Sequence, residues 1–486
     1  MAVLGIDIGT QSLKVVAADD HLNVVGEASV AYQPAFPRPG WAEQDVGLWE
    51  SALAPAIAGA LAHAGLGPAL VRAIGFGGQL DGCVAVDDQG AALAPALIWM
   101  DRRADSEVLG IDPELVRSRA GVVLDATHMA AKIRWLRRHE PRAARARWFH
   151  QPVSYLVARL TGEHVFDHGL ASTTMLYALV ARDWDADLLA AFDIDAAQLP
   201  VIAEAAAAAG RLGTRGAALT GLYPGTIVAV GTGDDFTNPL GAGVVAPGRA
   251  VCTIGTAEVV GAVHDRPAID PDGLVETHGY VGPTYFIENP GWLSGGAVTW
   301  LHNLLAIADA AALDARAAEA PAGADGVTFL PALSGAMAPE WIASARGCFY
   351  GLTAAHGAPH LARALLEGCA FAMRDVIDRL DAMGAAVGTI MLLGGGARSR
   401  LWASIRADVM NRPVEVAART DASAVGGAVL AAVAAGLYPD LAQAAARVGR
   451  IAAIVEPRPD RVAAYANAYD AYRLLFDSLR PMYARA

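Results

Sequence analysis

Residues Leu4–Lys14 read LGIDIGTQSLK, and the fold turns on how this stretch is read. Val3, Leu4, Ile6 and Ile8 are apolar and mostly β-favouring, which predicts a buried strand. Gly9, Thr10 and Ser12 make a tight polar turn, where Gly9 can take positive φ and lets the backbone come close to a ligand. Lys14-Val15-Val16-Ala17 resumes an apolar strand, so the reading is a hairpin and not a strand–helix junction. Asp7 sits on the buried strand near the turn. A carboxylate there needs a cation or donors, because an unpaired buried charge is very costly. N–H groups, hydroxyls, one ammonium and one carboxylate at a hairpin tip suit a nucleotide phosphate and its Mg²⁺. Taken alone, the stretch fits an ordinary hairpin with an N-terminal Asp equally well.

A second copy decides between the two. Ala250–Val260, AVCTIGTAEVV, repeats the pattern of apolar strand, Ile-Gly-Thr turn and apolar strand, with Ile254-Gly255-Thr256 matching Ile8-Gly9-Thr10. The repeat predicts an internal duplication, with two similar domains facing one nucleotide. Neither copy is a Walker A loop, which needs Gly-Lys followed by Ser or Thr; the chain holds no Gly-Lys pair. Of the 37 Lys and Arg residues only Lys14 and Lys132 are Lys. A lysine kept against that bias, in a phosphate-type turn, points to a need for a compact point charge.

At 486 residues, two domains with their own cores are expected. A composition 54% hydrophobic and 18% charged is that of a globular chain, not a disordered one. The net charge of −13 argues against a nucleic-acid partner, which would need a basic face. Arg134–Arg147 reads most simply as the solvated face of a helix. Cys83, Cys252, Cys348 and Cys369 are scattered, with no Cys-x-x-Cys or Cys/His cluster, so neither a zinc site nor a disulfide framework is expected. No basic or apolar leader precedes the first strand, and the longest apolar run, near 424–437, is too short to span a bilayer. The expectation is a cytoplasmic protein without a membrane partner.

Strands and helices interleave along both halves, which indicates α/β domains. The division is expected at 245/246: residues 1–245 with the first hairpin, 246–486 with the second. Residues 104–225 read as mostly helical. Thr226–Val230 is a strand closed by Gly231-Thr232-Gly233-Asp234-Asp235, with a helix through Gly241. A helix at His360–Met383 carries Glu367, Thr389–Leu393 is a buried strand opening into Gly394-Gly395-Gly396-Ala397-Arg398-Ser399, and Thr420–Ala435 forms a Gly/Ala-rich helix.

Phosphoryl transfer needs phosphate donors, a metal and a base for the attacking hydroxyl. The hairpins supply the first, and Asp7 is the metal or water-bridge ligand. The base candidate is Asp234, held at the tip of the sheet by a Gly-Thr-Gly turn and able to accept a hydroxyl proton; the plainer alternative is a helix cap. The glycines of 394–396 let backbone approach a flat ring or a ribose. They do not spell a dinucleotide fingerprint, and Gly241-Ala242-Gly243 with Ala246 follows no clear strand, so a dehydrogenase is disfavoured. Asp81 and Asp101 sit in loops near where Asp234 should lie. Carboxylates suit a polyhydroxylated ligand, and Trp41 and Trp99 can wall such a pocket. The plainer readings are core or rim packing for each Trp and a local ion pair with Arg102 or Arg103 for Asp101.

These residues resemble the FGGY carbohydrate kinases, and within them the xylulokinases. The resemblance runs over nearly the whole chain: DIGTQSLK and CTIGTAEVV as the two phosphate hairpins, GWAEQD followed by Trp49, Lys132-Ile133-Arg134-Trp135 with Met129 where Pro, Ser or Thr is usual, the Gly347–Leu352 and His360–Glu367 signature, and LLGGGARSRLW as the adenosine loop. It implies two actin-like (ribonuclease H-like) ATPase domains around a central cleft, MgATP, and a sugar or polyol bound mainly by the first domain. It implies Asp234 as the catalytic base and Asp7 as the Mg²⁺-associated Asp. Thr10, Gln11, Ser12, Lys14, Gly255, Thr256, Gly295, Gly395, Gly396, Ala397 and Arg400 fall to ATP, and Gln79, Leu80, Asp81, Trp99, Asp101 and Asp235 to the acceptor. Many members pair, so a homodimer is an expectation, although the sequence carries no interface signal. Two departures matter. Xylulokinases usually have His and Asn where this chain has Asp81 and Asp235; glycerol kinases have Glu at the position of Asp81 and a run similar to Trp99–Arg103. Extra carboxylates favour a neutral ligand and repel sugar acids. The expected substrate is a neutral sugar, a ketopentose first, with a polyol or other ketose such as glycerol, erythritol or ribulose as the alternative. A non-catalytic actin-like ATPase is the reading from another class, and it would have no use for the Asp81/Asp101/Asp234 loops.

Overall fold

The computed structural model describes residues 1–419 and 421–485. The opening stretch is a hairpin: β1 (Ala2–Ile8) and β2 (Ser12–Asp19) are antiparallel, with Asp7 opposite Lys14. All seven residues of β1 are buried, as expected for a central strand covered on both faces. With β3 (Val24–Ala31), β4 (Val71–Gly78), β5 (Ala208–Arg211) and β6 (Ile227–Ala229) it forms a six-stranded sheet in the order β5-β6-β4-β1-β2-β3. The second sheet holds β7 (Arg249–Ile254), β8 (Ala257–His264), β9 (Glu276–Gly279), β10 (Tyr285–Leu293), β11 (Thr389–Leu393), β12 (Val414–Ala417) and β13 (Ile451–Val455), in the order β9-β10-β8-β7-β11-β12-β13.

The duplication is visible in the topology. β3-β2-β1 are antiparallel neighbours, and β1, β4 and β6 run parallel. Likewise β10-β8-β7 are antiparallel, and β7, β11 and β12 run parallel. Each sheet ends its parallel run in a strand that feeds a helix: β6 into α3 (Asp234–Gly241) and β12 into α7 (Ser423–Ala434).

Helix α1 (Val46–Ala64) begins at Asp45, whose carboxylate accepts from the Gly47 N–H, and packs on β2 and β3. Helix α2 (Pro152–Thr161) packs on β4, β5 and β6, and α4 (Gly295–Leu304) follows β10. The opposite face of the first sheet is covered by α7, which by sequence belongs to the second half. Its Ala/Gly composition is a packing requirement. A Cβ on Gly5 would lie 1.7 Å from the Ala424 carbonyl oxygen, and one on Gly75 2.2 Å from that of Gly427. Beside it, α3 reaches the second sheet: Phe236 meets Phe286 edge-on at 6.2 Å and shares a core with Val251, Met391 and Leu393. The sheets therefore face one another through α3 and α7. On its far face the second sheet carries α5 (Ala358–Ala382) and α6 (Arg400–Met410), with α8 (Pro459–Tyr483) outside them. Glu367 is an internal tie in this layer, accepting from Arg363 Nε at 2.6 Å and the Gly323 N–H at 3.0 Å.

Two expectations need correction. Residues 104–225 are not mostly helical. They contain short strands at Trp148–His150, Val165–Asp167, Tyr177–Ala178, Asp183–Trp184 and Val201–Ala203, besides β5. Alanine raised the apparent helix content, but two- to four-residue pairings carry too little periodicity to be read. Arg134 and Arg138 are not simply solvated, since both bond the buried Glu107. The Gly/Ala-rich helix starts at Ser423; its expected first residue, Thr420, lies outside the described residues. No helix among the described residues is long and apolar enough to cross a membrane, and the four cysteines are free.

Candidate active site

Asp7, next to last in β1, is buried, and Ser423 Oγ at the start of α7 donates to its Oδ1 at 2.9 Å. Ser423 Oγ also lies 2.9 Å from Thr237 Oγ1 of α3. The N-termini of α3 and α7 thus converge on the first hairpin, where their unpaired N–H groups and dipoles favour an anion. Burial pushes the Asp7 carboxyl up to about 6, against the opposing pull of Lys14. Burial pulls the Lys14 ammonium down, but its partner Asp421, at 2.6 Å, outweighs that and leaves it above its ordinary value. The tip is braced from below. Gly9 N–H donates to the Ser12 carbonyl, Tyr32 O–H to the Gly9 carbonyl at 2.8 Å, and Gln44 Nε2 to the Thr10 carbonyl at 2.7 Å. Thr10 and Ser12 are half-buried and Gln11 is exposed.

The second hairpin tip exposes Gly255 and Thr256. Two loops close against it. A Cβ on Gly295 would lie 2.1 Å from the Gly255 carbonyl oxygen, and one on Gly396 2.4 Å from the Ile254 side chain. Gly394, at φ +79°, brings the strand end over Ile254; only glycine accepts that conformation so close to a neighbouring backbone. The result is a shallow cradle of bare backbone at Gly255, Gly295, Gly395 and Gly396. The Ala397 side chain is buried in the core, so only its backbone can face a ligand, and Arg400 is exposed at the start of α6. Beneath the cradle, Glu258 ties Cys252, Ser294 and the buried Arg406 together.

Asp234 is the first residue of α3, and Gly233 takes the cap position. The helix-cap alternative therefore does not hold. Asp234 and Asp235 are half-buried, and both carboxyls are raised: Asp234 well above its ordinary value by burial and then by Asp235 and Asp7, Asp235 up to about 7 by burial and then by Asp81. Asp234 in turn acts on Lys14. The carboxylate pair thus lies between the phosphate-type hairpin and the Asp81 loop.

That loop runs from β4 to Gln79, Leu80 and Asp81. Gln79 is buried, donating to Gln44 Oε1 at 2.7 Å, while its own Oε1 lacks a partner among the described residues. Leu80 packs against Gly233. Asp81 takes φ +58° and approaches His128 Nδ1 at 3.1 Å; its carbonyl accepts from Lys132 Nζ at 2.6 Å. Trp99 is 44% exposed and donates to Thr10 Oγ1 at 3.0 Å, which sets its indole at the rim beside the hairpin. Asp101 does not join this group. It is fully buried, and its oxygens accept from the Ala42 N–H, the Arg103 N–H and Arg103 Nε, so nothing is left for an acceptor. Trp41 lies flat under Arg103, 3.8 Å from ring centroid to guanidinium carbon, and is packing as well.

A further group comes from the second sheet and has almost no local signature in the sequence. Glu276 and His278 of β9 and Glu288 of β10 are all buried. Glu276 Oε1 lies 3.6 Å from His128 Nε2, and Glu288 Oε1 3.6 Å from His278 Nε2. The only sequence trace is the i, i+2 placing of Glu276 and His278, which puts both side chains on one face of the strand.

Two duplicated α/β domains, a hairpin tip from each and a raised carboxylate pair between a cationic turn and a polar loop define a phosphotransferase. Comparison with known proteins agrees. The FGGY N-terminal domain matches residues 2–241 and the FGGY C-terminal domain residues 250–435. Xylulose kinase of Escherichia coli (strain K12) is 32% identical over 99% of this chain and 100% of its own. A glycerol kinase of Alkalilimnicola ehrlichii is 34% identical over 90% of each. The crystal structure of a xyloylose kinase from Brucella ovis superposes with a TM-score of 0.94 at 31% identity, covering 99% of this chain and 100% of that one. The chain belongs to the FGGY family of carbohydrate kinases, phosphotransferases with an alcohol group as acceptor.

Proposed function

We propose that this protein transfers the γ-phosphoryl group of ATP to a neutral ketose or polyol, a ketopentose such as xylulose before glycerol, with Asp234 as the general base. The observation that carries this is the position of Asp234 between Lys14 and Asp7 on one side and Asp235 and Asp81 on the other. A carboxyl raised by burial is a better proton acceptor than a free one, and here its charge bears on both substrates. The acceptor hydroxyl gives its proton to Asp234 and attacks the γ-phosphorus, whose bond to the β,γ-bridging oxygen breaks so that ADP leaves. Lys14, the N–H groups of the two hairpin turns and the start of α7 hold the phosphate oxygens, which is where this class of reaction needs stabilisation.

The residues present fit Mg²⁺. Among the described residues no three His, Cys, Asp or Glu side chains form a cage, and Mg²⁺ is commonly held by one or two carboxylates, water and substrate phosphates. Asp7, raised by burial and bonded on only one oxygen by Ser423, would hold it, directly or through water, where it would neutralise the phosphate charge. The division at 245/246, with the sugar site, first hairpin and base in 1–245 and the second hairpin and adenosine cradle in 246–486, belongs to this reading, with α7 crossing back onto the first sheet. So do a cytoplasmic location and a homodimer.

The test is an ATP-to-ADP coupled assay against xylulose, ribulose, erythritol, glycerol and gluconate. Turnover of a neutral acceptor supports the reading. Turnover of gluconate alone would overturn its substrate half, and ATP binding without transfer to any acceptor would restore the non-catalytic ATPase.

A further inference from the structure

The cluster that the second sheet sends toward the acceptor loop is difficult to justify as a stabilising feature. Glu276 and Glu288 stand directly opposite one another on β9 and β10, a pairing of like charges that destabilises a sheet. Of the carboxylates gathered here, Asp81, Glu276 and Glu288 face two imidazoles and Lys132, and Asp234, beside Asp235, faces Lys14. Among the described residues Glu288 Oε2 and His278 Nδ1 have no hydrogen-bond partner, though both are buried, and each residue is at most 3% exposed. Buried ionic groups are poor contributors to stability compared with well-packed apolar side chains, and unsatisfied buried polar atoms call for an explanation.

The geometry supplies one. His128 has a carboxylate at each ring nitrogen: Asp81 Oδ1 at 3.1 Å from Nδ1 and Glu276 Oε1 at 3.6 Å from Nε2. Asp81 belongs to the acceptor loop and Glu276 to the edge strand of the other sheet. The segment leading to His128 is sewn to that strand as well, since the Val123 N–H donates to Glu276 Oε1 at 2.8 Å and the Thr277 N–H to the Gly121 carbonyl at 2.9 Å. Behind Glu276, His278 lies 3.7 Å from its other oxygen and packs edge-on against Phe236, two residues from Asp234.

We propose that His128 is a positioning residue for acceptor selection, bridging Asp81 to Glu276 so that the acceptor loop is set only while the second domain is docked on it. This rests on the assignment of Asp81 to the acceptor site. The acceptor side of the cleft is then completed across the junction, and an acceptor that engages Asp81 favours the docked arrangement.

The test uses the full-length enzyme with Glu276→Gln and His128→Gln, both close in size to the native side chain. Acceptor KM is expected to rise 10-fold or more in each, with ATP KM held within twofold. Adding Glu276→Gln to Asp81→Asn should raise acceptor KM no further than Asp81→Asn alone, because the bridge is already broken. A role in folding alone would lower kcat with the active fraction and leave both KM values unchanged. Equal rises in both KM values, an unchanged acceptor KM, or additive effects would overturn the proposal. Should His128→Gln not fold, Glu276→Gln still decides, since it leaves the His128–Asp81 contact in place. The wild type and Asp81→Asn run alongside separate the failures: no transfer from the wild type to any acceptor breaks the kinase reading, an unchanged acceptor KM in Asp81→Asn breaks the acceptor-loop assignment, and a raised KM there with a normal Glu276→Gln breaks only the bridge.

Discussion

Asp235→Asn should stabilise the protein, and the gain should grow with pH. Burial, reinforced by Asp81, lifts the Asp235 carboxyl from 3.8 to about 7. Below about pH 4 it is protonated in both the folded and the unfolded chain, and the substitution changes little. Between pH 4 and 7 the unfolded chain releases the proton while the folded chain keeps it, so the wild type loses stability as pH rises. Above 7 the penalty is complete. At about 1.4 kcal/mol per pH unit it reaches roughly 4 kcal/mol, an upper bound because Asp235 is half-buried and not sealed. Asparagine keeps the shape and removes the charge. Urea unfolding of both proteins at pH 4.5, 6 and 8 reads the difference directly. The gain should be small at 4.5 and reach one to a few kcal/mol at 8, as an order of magnitude. A gain independent of pH, or a loss at pH 8, would refute the reasoning that burial and Asp81 hold Asp235 against its own charge.

The same substitution should act on catalysis. Asp235 is, after burial, the largest influence raising Asp234, so the inflection on the acid side of the kcat/KM profile should move to lower pH in Asp235→Asn; an unmoved inflection contradicts the coupling. Asp101→Ala should cost about 1–3 kcal/mol of stability by leaving the Ala42 N–H and part of the Arg103 guanidinium unpaired, with Glu43 still holding Arg103, while a folded fraction keeps a normal acceptor KM, measurable by denaturation and kinetics on the same preparation. Gly75→Ala should destabilise by about 1–3 kcal/mol or prevent folding, since its Cβ would meet the Gly427 carbonyl oxygen at 2.2 Å; a melting temperature within a degree of wild type would contradict the close crossing of α7.

The two hairpins, the glycine loop and the helix after Asp234 could be read directly because local chemistry fixes them: buried strands, a Gly-Thr turn, a helix start. Asp81, Asp234 and Asp235 fall together as their motifs imply. Asp101 misled because its neighbours in sequence, Trp99 and Arg103, have opposite fates. The indole reaches the rim, while the guanidinium turns inward and takes the carboxylate with it. Glu276, His278, Glu288 and Ser423 escaped notice because their meaning is purely tertiary. Nothing local says that β9 faces the acceptor loop or that the start of α7 meets Asp7 across 416 positions of chain. The Ala/Gly run of α7 was legible as a helix, but its reason, close passage over Gly5 and Gly75, lies in the other half of the molecule.

The central claim is that Asp234 deprotonates the acceptor. Asp234→Ala compared with wild type, on whichever neutral acceptor turns over, tests it most directly when nucleotide binding is measured on the same samples. Transfer should fall by about 10²–10⁴-fold or more with ATP affinity within a few-fold of wild type. Wild-type transfer in the variant would contradict the account.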